Sequence, residues 1–343
     1  MTPTPATGSA DAAGGADLQS SGSPLGRRLD ALLERLRPIH MVVIFAVFVV
    51  FVGGVGVVGF TLLADSALGK EHGRLSAVAA MKAQQLASWQ EEHLAAVTLL
   101  AKNQVFRELL TPVRMRDLDN WHERLAAWYD DQRVTFWLAD TRENAGFISA
   151  EILKPDGETL IGTGTPPYTR DLIRPVVDAV IATGESLFID IQPGKNGLPF
   201  MAFAARIPDV GNTQALALVF SLGIVEHLLP MVEQWPNPSR TGRLWLFRQR
   251  AGAIDLVNPR GKGDAILAVS PQERRQPIFQ AIERGDGLYH GADLRGQEVV
   301  AAVRRVHNLP WWISVQMDSA ELMEPIRTLA GASALMVLLA VVA

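Results

Sequence analysis

Hydrophobic residues along this chain follow three spacings, and each predicts a different kind of element. From Ile39 to Ala64 no Asp, Glu, Lys or Arg interrupts the sequence. The centre of that run, Met41 to Ala64, is 24 residues long. As helix it extends roughly 36 Å, against a hydrocarbon layer of about 30 Å. Unbroken apolarity on every face predicts a transmembrane helix over 39–64 rather than a core helix. A secretory signal has a shorter apolar region, about 7–15 residues, near the N-terminus; here 38 residues precede the run and no tight small-residue cleavage pattern follows it. A second apolar run opens at Leu329, and its 15 residues to Ala343 cover only about 22 Å as helix. Residues 328–343 are therefore expected to be the start of a second transmembrane helix, cut short before whatever lies beyond.

Between these runs the spacing changes. Residues 65–110 contain no proline before Pro112, and Leu68, Leu75, Val78, Leu86, Trp89, Val97 and Leu100 recur at helical steps. A long outer helix is predicted, burying one stripe on its own domain or against a partner helix. Strand-like segments follow at Gly146–Leu153, Thr159–Thr163, Ser186–Ile191, Pro199–Ile207 and Ala215–Leu222. Lys154-Pro155-Asp156-Gly157 joins the first two as a hairpin, and Thr169–Ala182 reads as a helix stopped by Thr183-Gly184. The order then repeats: a hairpin of Arg243–Arg248 with Ile254–Asn258, a helix Gln276–Arg284 stopped by Gly285, and strands Leu288–Asp293, Glu298–Val306 and Trp311–Met317. Gly184 to Asp190 matches Gly285 to Asp293, and Ala204-Ala205-Arg206-Ile207 matches Val303-Arg304-Arg305-Val306. An internal duplication of an α+β unit of about 90 residues is expected.

Composition and charge add direction. Arg27, Arg28, Arg35 and Arg37 precede the first apolar run, while Asp65, Lys70 and Glu71 follow it. The positive-inside rule places the N-terminus in the cytoplasm and the duplicated segment outside, in a multi-pass protein of the inner (cytoplasmic) membrane with a periplasmic or extracellular domain. Residues 1–38 begin with an Ala-, Gly-, Ser-, Thr- and Pro-rich tract expected to be a disordered cytoplasmic tail. The 343 residues are 48% apolar and 20% charged, with a net charge of −4; nothing in that balance points to nucleic acid. The absence of cysteine excludes disulfides, thiolate metal sites and a cysteine nucleophile.

Catalytic signatures are missing. The seven histidines form no His-Glu-x-x-His pair, and there is no phosphate-binding Gly-x-x-x-x-Gly-Lys-Ser/Thr loop or Gly-x-Ser-x-Gly elbow. Gly162-Thr-Gly164 leads into Thr-Pro-Pro, which cannot open a phosphate-binding helix in the usual way. No kinase phospho-acceptor box, ATP-binding glycine box or cyclase signature is found. The chain is read as neither an enzyme nor a cofactor or metal carrier.

A membrane helix, a long outer helix, two sequential α+β units and a return into the membrane together resemble the double-Cache sensor domain of bacterial transmembrane receptors. The segments LASWQEEHLAAVTLLAKNQVFRELL, WPNPSRTGRLWLFRQ and AAVRRVHNLPWWISVQMDSAEL look like those of receptors with histidine kinase (two-component) or diguanylate cyclase outputs. The resemblance implies an α+β fold of two tandem PAS-like (Cache) units with antiparallel sheets. They would occupy 111–235, membrane-distal, and 236–327, membrane-proximal, after the outer helix 65–110. It also implies a small-molecule ligand in the distal unit, and amino-acid-binding versions share a Tyr…Arg…Trp-Tyr…Asp constellation in which Arg holds the carboxylate and Asp the ammonium. By that resemblance Tyr129, Arg133, Trp137, Tyr168 and Asp190 are the candidate ligand-binding residues, with an amino acid, carboxylate or amine as ligand. Tyr129, Arg133 and Trp137 fall at i, i+4 and i+8, one helical face. Arg precedes Trp by four residues rather than two, and no Tyr follows Trp137, so amino-acid specificity does not carry over. Ordinary packing for Tyr129 and Trp137, a surface pair with Asp130 or Asp131 for Arg133, and a structural role for Asp190 are the competing readings. The functions that follow are a ligand sensor, expected as a homodimer in the bilayer, or a protein-interaction and dimerisation module without a small ligand.

Overall fold

The structure, a computed structural model, describes residues 38–114, 121–208, 215–236, 239–250, 253–258, 266–269 and 276–342. The chain divides into two compact units, one of residues up to 63 together with 328 onward, the other of 64–327. Helix α1 (Pro38–Lys102) begins in the first and continues into the second. In the first unit its side chains point outward, among them Phe45, Phe48 and Leu62. Among the described residues it is the one helix long and apolar enough to cross a membrane.

In the 64–327 unit the same helix changes character. Leu75, Val78, Ala79, Ala83, Leu86, Ala87, Val97 and Ala101 are buried in one stripe, because only one face meets the sheets. The four alanines let the backbone approach closely. Lys82 lies in that stripe and donates to the carbonyl of Met231 at 2.6 Å; burial holds its ammonium below the usual lysine range. The helix breaks at Asn103, whose side chain accepts from the Phe106 amide at 3.2 Å and so caps α2 (Gln104–Arg114). Helix α3 (Trp121–Asn144) follows.

The first lobe is a five-stranded sheet from β1 (Ser149–Leu153), β2 (Thr159–Gly164), β3 (Leu187–Pro193), β4 (Pro199–Ile207) and β5 (Leu216–Gly223), in the order β2-β1-β5-β4-β3. Helix α4 (Arg170–Thr183) crosses one face and ends on Gly184 at φ 74°, the left-handed conformation that a glycine supplies without strain. A π-turn, Ile224–Leu228, and α5 (Leu229–Glu233) lead out. The second lobe has β6 (Arg243–Arg250), β7 (Ala253–Leu256), β8 (Leu267–Val269), α6 (Pro277–Arg284), β9 (Gly287–Ala292), β10 (Glu298–Arg305) and β11 (Trp311–Asp318), with order β8-β7-β6-β11-β10-β9. Apart from the added edge strand β8, the two orders are the same, which is the duplication seen in three dimensions. Every pairing is antiparallel. Helices α7 (Ser319–Leu322) and α8 (Glu324–Val342) close the described chain. The fold is α+β with two tandem antiparallel sheets on a long helix.

Strand alternation divides each sheet into two cores. One face of both sheets shares a core with α1; the other packs α4 in the first lobe and α6 in the second. The lobes join through a row of cross-strand partners, Asp255, Arg248 and Trp311. Arg248, 4% exposed, bonds Asp255 at 2.8 Å and donates to the backbone carbonyl of Ile191 in β3 of the first lobe. Trp311 Nε1 donates to Asp190 Oδ1 at 2.8 Å and its ring meets Phe188 edge-on at 5.9 Å.

Two expectations follow. Arg248→Met frees the Ile191 carbonyl and leaves the buried Asp255 carboxylate with only the half-exposed Arg250, 2.8 Å away, as cation; loss of one member of a buried pair costs up to about 3–5 kcal/mol, so a drop in unfolding temperature is expected, partly restored by adding Asp255→Leu. Asp190 is held above the usual carboxylate range, because burial outweighs the hydrogen bonds from Trp311 and Ile191 and the charge of Arg248. A raised native pKa contributes stability below the unfolded value that is lost as pH rises through the native one. Asp190→Asn removes that dependence, so its stability relative to the parent should improve as pH rises from about 4 to 7; thermal unfolding of both proteins across that range checks the sign, and a trend in the other direction would show that Arg248 dominates.

Candidate ligand-binding site

The first lobe contains a cavity of about 520 Å³ at one end of its sheet. Five pieces of chain enclose it: the last turn of α3, the start of β1, the loop after β2, the β3–β4 turn, and the π-turn. Each is placed by a local device. The β3–β4 turn closes with the Gly197 amide on the Gly194 carbonyl at 3.0 Å, Gly197 standing at φ 78°. Its Lys195 amide reaches the Pro167 carbonyl at 2.8 Å, tying this turn to the loop after β2. A Cβ at Gly223 would lie 2.3 Å from the Glu226 carboxylate, so that glycine is what lets Glu226 fold back over the end of β5.

The walls combine apolar surface, from Phe147, Phe200 and prolines 166, 167 and 199, with charges of both signs, Arg142, Lys195 and Glu226. Arg142 bonds Glu143 at 2.6 Å, while its Nε is buried without a hydrogen-bond partner. That donor and the exposed Lys195 suit an anionic ligand group; Glu226 suits a cationic one.

Behind this cavity, on the α4 face, lies a polar cluster. Glu151 is 3% exposed. It accepts from Thr159 at 2.9 Å and, through its other oxygen, from the Tyr168 hydroxyl. Burial pushes the Tyr168 phenol well above its ordinary range; the neighbouring Glu151 charge and the hydrogen bond to it act in the same direction, and the Ser221 hydroxyl acts weakly against them.

Of the residues singled out in sequence, the described ones are spread over several places. The side chain of Tyr129 lies outside the described residues. Arg133 is exposed on α3. Trp137, four residues on, stacks against Phe106 at 4.5 Å on the α1 side. Asp190 lies on the face that meets the second lobe, bonded to Trp311. Tyr168 alone adjoins the cavity, between the lining residue Pro167 and the ring of Phe200, 6.0 Å away. Sequence reasoning passed over Arg142, Lys195, Glu226 and Glu151. Only Glu151 carried a signal, a charge at the centre of the strand Ser149-Ala150-Glu151-Ile152-Leu153, where alternation assigns it to the face that α4 covers.

Comparison with solved structures places the fold. The chain is similar to the sensory domain of the Campylobacter jejuni chemoreceptor Tlp3 (CcmL), with a TM-score of 0.52 at 11% identity, over 76% of this chain and 98% of that one. The same domain with isoleucine bound gives 0.50 at 10% identity over 76% and 98%. The ligand-binding domain of the Pseudomonas fluorescens chemoreceptor CtaA in complex with L-serine gives 0.49 at 14% identity over 74% and 99%. No protein-family model matches the chain, and no curated protein is similar to it in sequence. At such low identity the likeness speaks for architecture: this chain has the tandem PAS-like sensory-domain fold that its sequence resembles.

Proposed function

We propose that this chain is the extracytoplasmic sensor part of a membrane receptor, binding a small molecule in the first lobe and passing a conformational change to a cytoplasmic signalling partner of the kinase, cyclase or chemotaxis kind. The observation that carries the reading is the cavity of about 520 Å³, of ligand size and lined by apolar walls with a few opposed charges. The long apolar start of α1 supports a bilayer anchor, with α8 as the returning segment. Leu99, Val105 and Phe136 are 71%, 65% and 76% exposed, which supports a homodimer through the α1–α3 side.

The same geometry supplies a route out of the cavity. The β3–β4 turn forms one wall, and strand β3 leads from it to Asp190 and Ile191, the residues held by Trp311 and Arg248 of the second lobe. A ligand that draws the turn inward shifts the lobe junction; it needs only a difference in affinity between two arrangements.

The test is a thermal-shift screen of the full chain in lipid nanodiscs against amino acids, carboxylates, amines and purines. A compound at 100 times its Kd adds about 2.7 kcal/mol to stability. The shift should disappear in Leu198→Trp, which fills the cavity from an exposed position, and shrink in Arg142→Ala for an anionic hit or in Glu226→Gln for a cationic one. A hit indifferent to all three variants places the site elsewhere, and a panel without hits favours a protein partner.

A further inference from the structure

We infer that the π-turn and α5, residues 224–233, form a stiff lever that carries the state of the cavity wall to the start of α8, with Glu321 as the positioning residue that ties its far end; the inference rests on the cavity being the ligand site. Val225 and Glu226 of this segment line the cavity. Ile224, Leu228 and Val232, each four residues from the next, are 0%, 0% and 1% exposed in the core shared with α1. That spacing is one helical face, so the π-turn and the helix lie on the core as one short rod. The Leu229 amide reaches the Ile224 carbonyl and the Gln234 amide the Pro230 carbonyl, and a rod bonded in this way does not shorten along its axis. Near its far end Lys82 of α1 donates to the Met231 carbonyl at 2.6 Å. The last carbonyls of a helix lack partners within it, so the ammonium caps α5 and gives the rod a fulcrum on α1.

Beyond α5, Trp235 packs against the same core and closes on Gly242, where a Cβ would meet its ring at 2.8 Å. The chain enters the second lobe through Ser239, Arg240 and Thr241, and Glu321 grips all three. Its carboxylate accepts from the Ser239 hydroxyl at 3.1 Å, the Arg240 amide at 3.1 Å, the Thr241 amide at 2.8 Å and the Thr241 hydroxyl. Burial alone would raise the pKa of this carboxyl, but the hydrogen bonds outweigh it and hold the group below its usual range. Thr241 Oγ1 in turn accepts from the Asp318 amide at 3.1 Å, and Arg240 pairs with Glu324, the first residue of α8. The entry to the second lobe is thus laced to the segment that leaves it.

The duplication supplies an internal comparison. Phe200 pairs with Gly223 in the first sheet as Val299 pairs with Asp318 in the second. Glu226 and Glu321, each three residues further on, therefore hold the same place in the two lobes. Glu321 has four donors, whereas Glu226 has no hydrogen bond or ion pair among the described residues. The lever is untethered where it meets the cavity and tied where it meets α8. A transmitter needs that asymmetry: an input end that can respond and an output end that follows.

The experiment is a cycle of four proteins, each the full chain in lipid nanodiscs: wild type, Val225→Trp, Glu321→Gln and the double variant. Val225 is 40% exposed on the cavity wall, so the indole enters open space. Hydrogen exchange is read at the start of α8, on the amides of Met323 and Arg327, which bond the Ser319 and Met323 carbonyls. Two distant changes act independently unless an element couples them. The wall change is expected to alter exchange at these amides at least about fivefold, the low end of the usual coupling between two sites, and to leave it unaltered once Glu321→Gln is present. A carboxylate that only held its own loop would shift exchange by the same factor with or without the wall change. Equal factors in both backgrounds, or no response to Val225→Trp in either, overturn the lever; the cavity reading is untouched by that result, because no ligand enters the cycle. If Val225→Trp does not fold, Glu226→Ala takes its place as the wall change and is read in the same way.

Discussion

A guanidinium with almost no exposure must be satisfied where it lies, and Arg248 is satisfied only when both lobes are in place. Asp255, its cross-strand partner, neutralises the charge from within the second lobe. The remaining donor goes to the Ile191 carbonyl of the first lobe, and Trp311 beside it bonds Asp190. These are directional contacts, so sliding the lobes by even one residue would leave a guanidinium N–H, an indole N–H and a carbonyl unmet. The apolar core around α1 gives the assembly its cohesion without fixing its register, because apolar packing is not directional. The polar row supplies that register.

Much of this was legible in the chain and the remainder was not, for reasons that differ by residue. The outer helix could be read because one face of it is buried, so Leu75, Val78, Leu86 and Val97 had to fall in phase. Gly184 and Gly285 could be read as helix stops because backbone conformation at those points favours glycine. The duplication was visible because both lobes solve the same packing problem with the same order of elements. The destination of Asp190 was not visible. Its strand carries a register irregularity between Ile189 and Gln192, and its partner, Trp311, is 121 residues away, a contact that no local pattern encodes. Arg142 and Lys195 looked like any exposed cation until the fold curled their segments around one space.

Duplication also explains how two lobes of one design come to differ in chemistry. The sheets share order and register, so the positions facing α4 and α6 are equivalent, and each can be filled or left polar without disturbing the other face. The second lobe fills its face with Trp245, Phe247, Tyr289 and Trp312. The first uses alanines at 202, 204 and 217 near its centre, with Glu151, Ser149 and Ser221 beside them. Large side chains fill the centre of this face in the second lobe, and small and polar ones occupy it in the first.

Strand β3 is where the cavity and the lobe junction meet. One end of it turns through Gly194 and Gly197 beside the cavity, and its middle is clamped by Arg248 and Trp311. A strand cannot stretch, since its length is set by covalent geometry, so a displacement at the turn is carried along it or absorbed at its irregularity between Ile189 and Gln192. That irregularity adjoins the clamped residues. On the proposed function, the part of a displacement that β3 carries reaches the residues on which the lobe register depends, and a coupling of 1–3 kcal/mol, the usual size between two sites, amounts to roughly one of the hydrogen bonds held there.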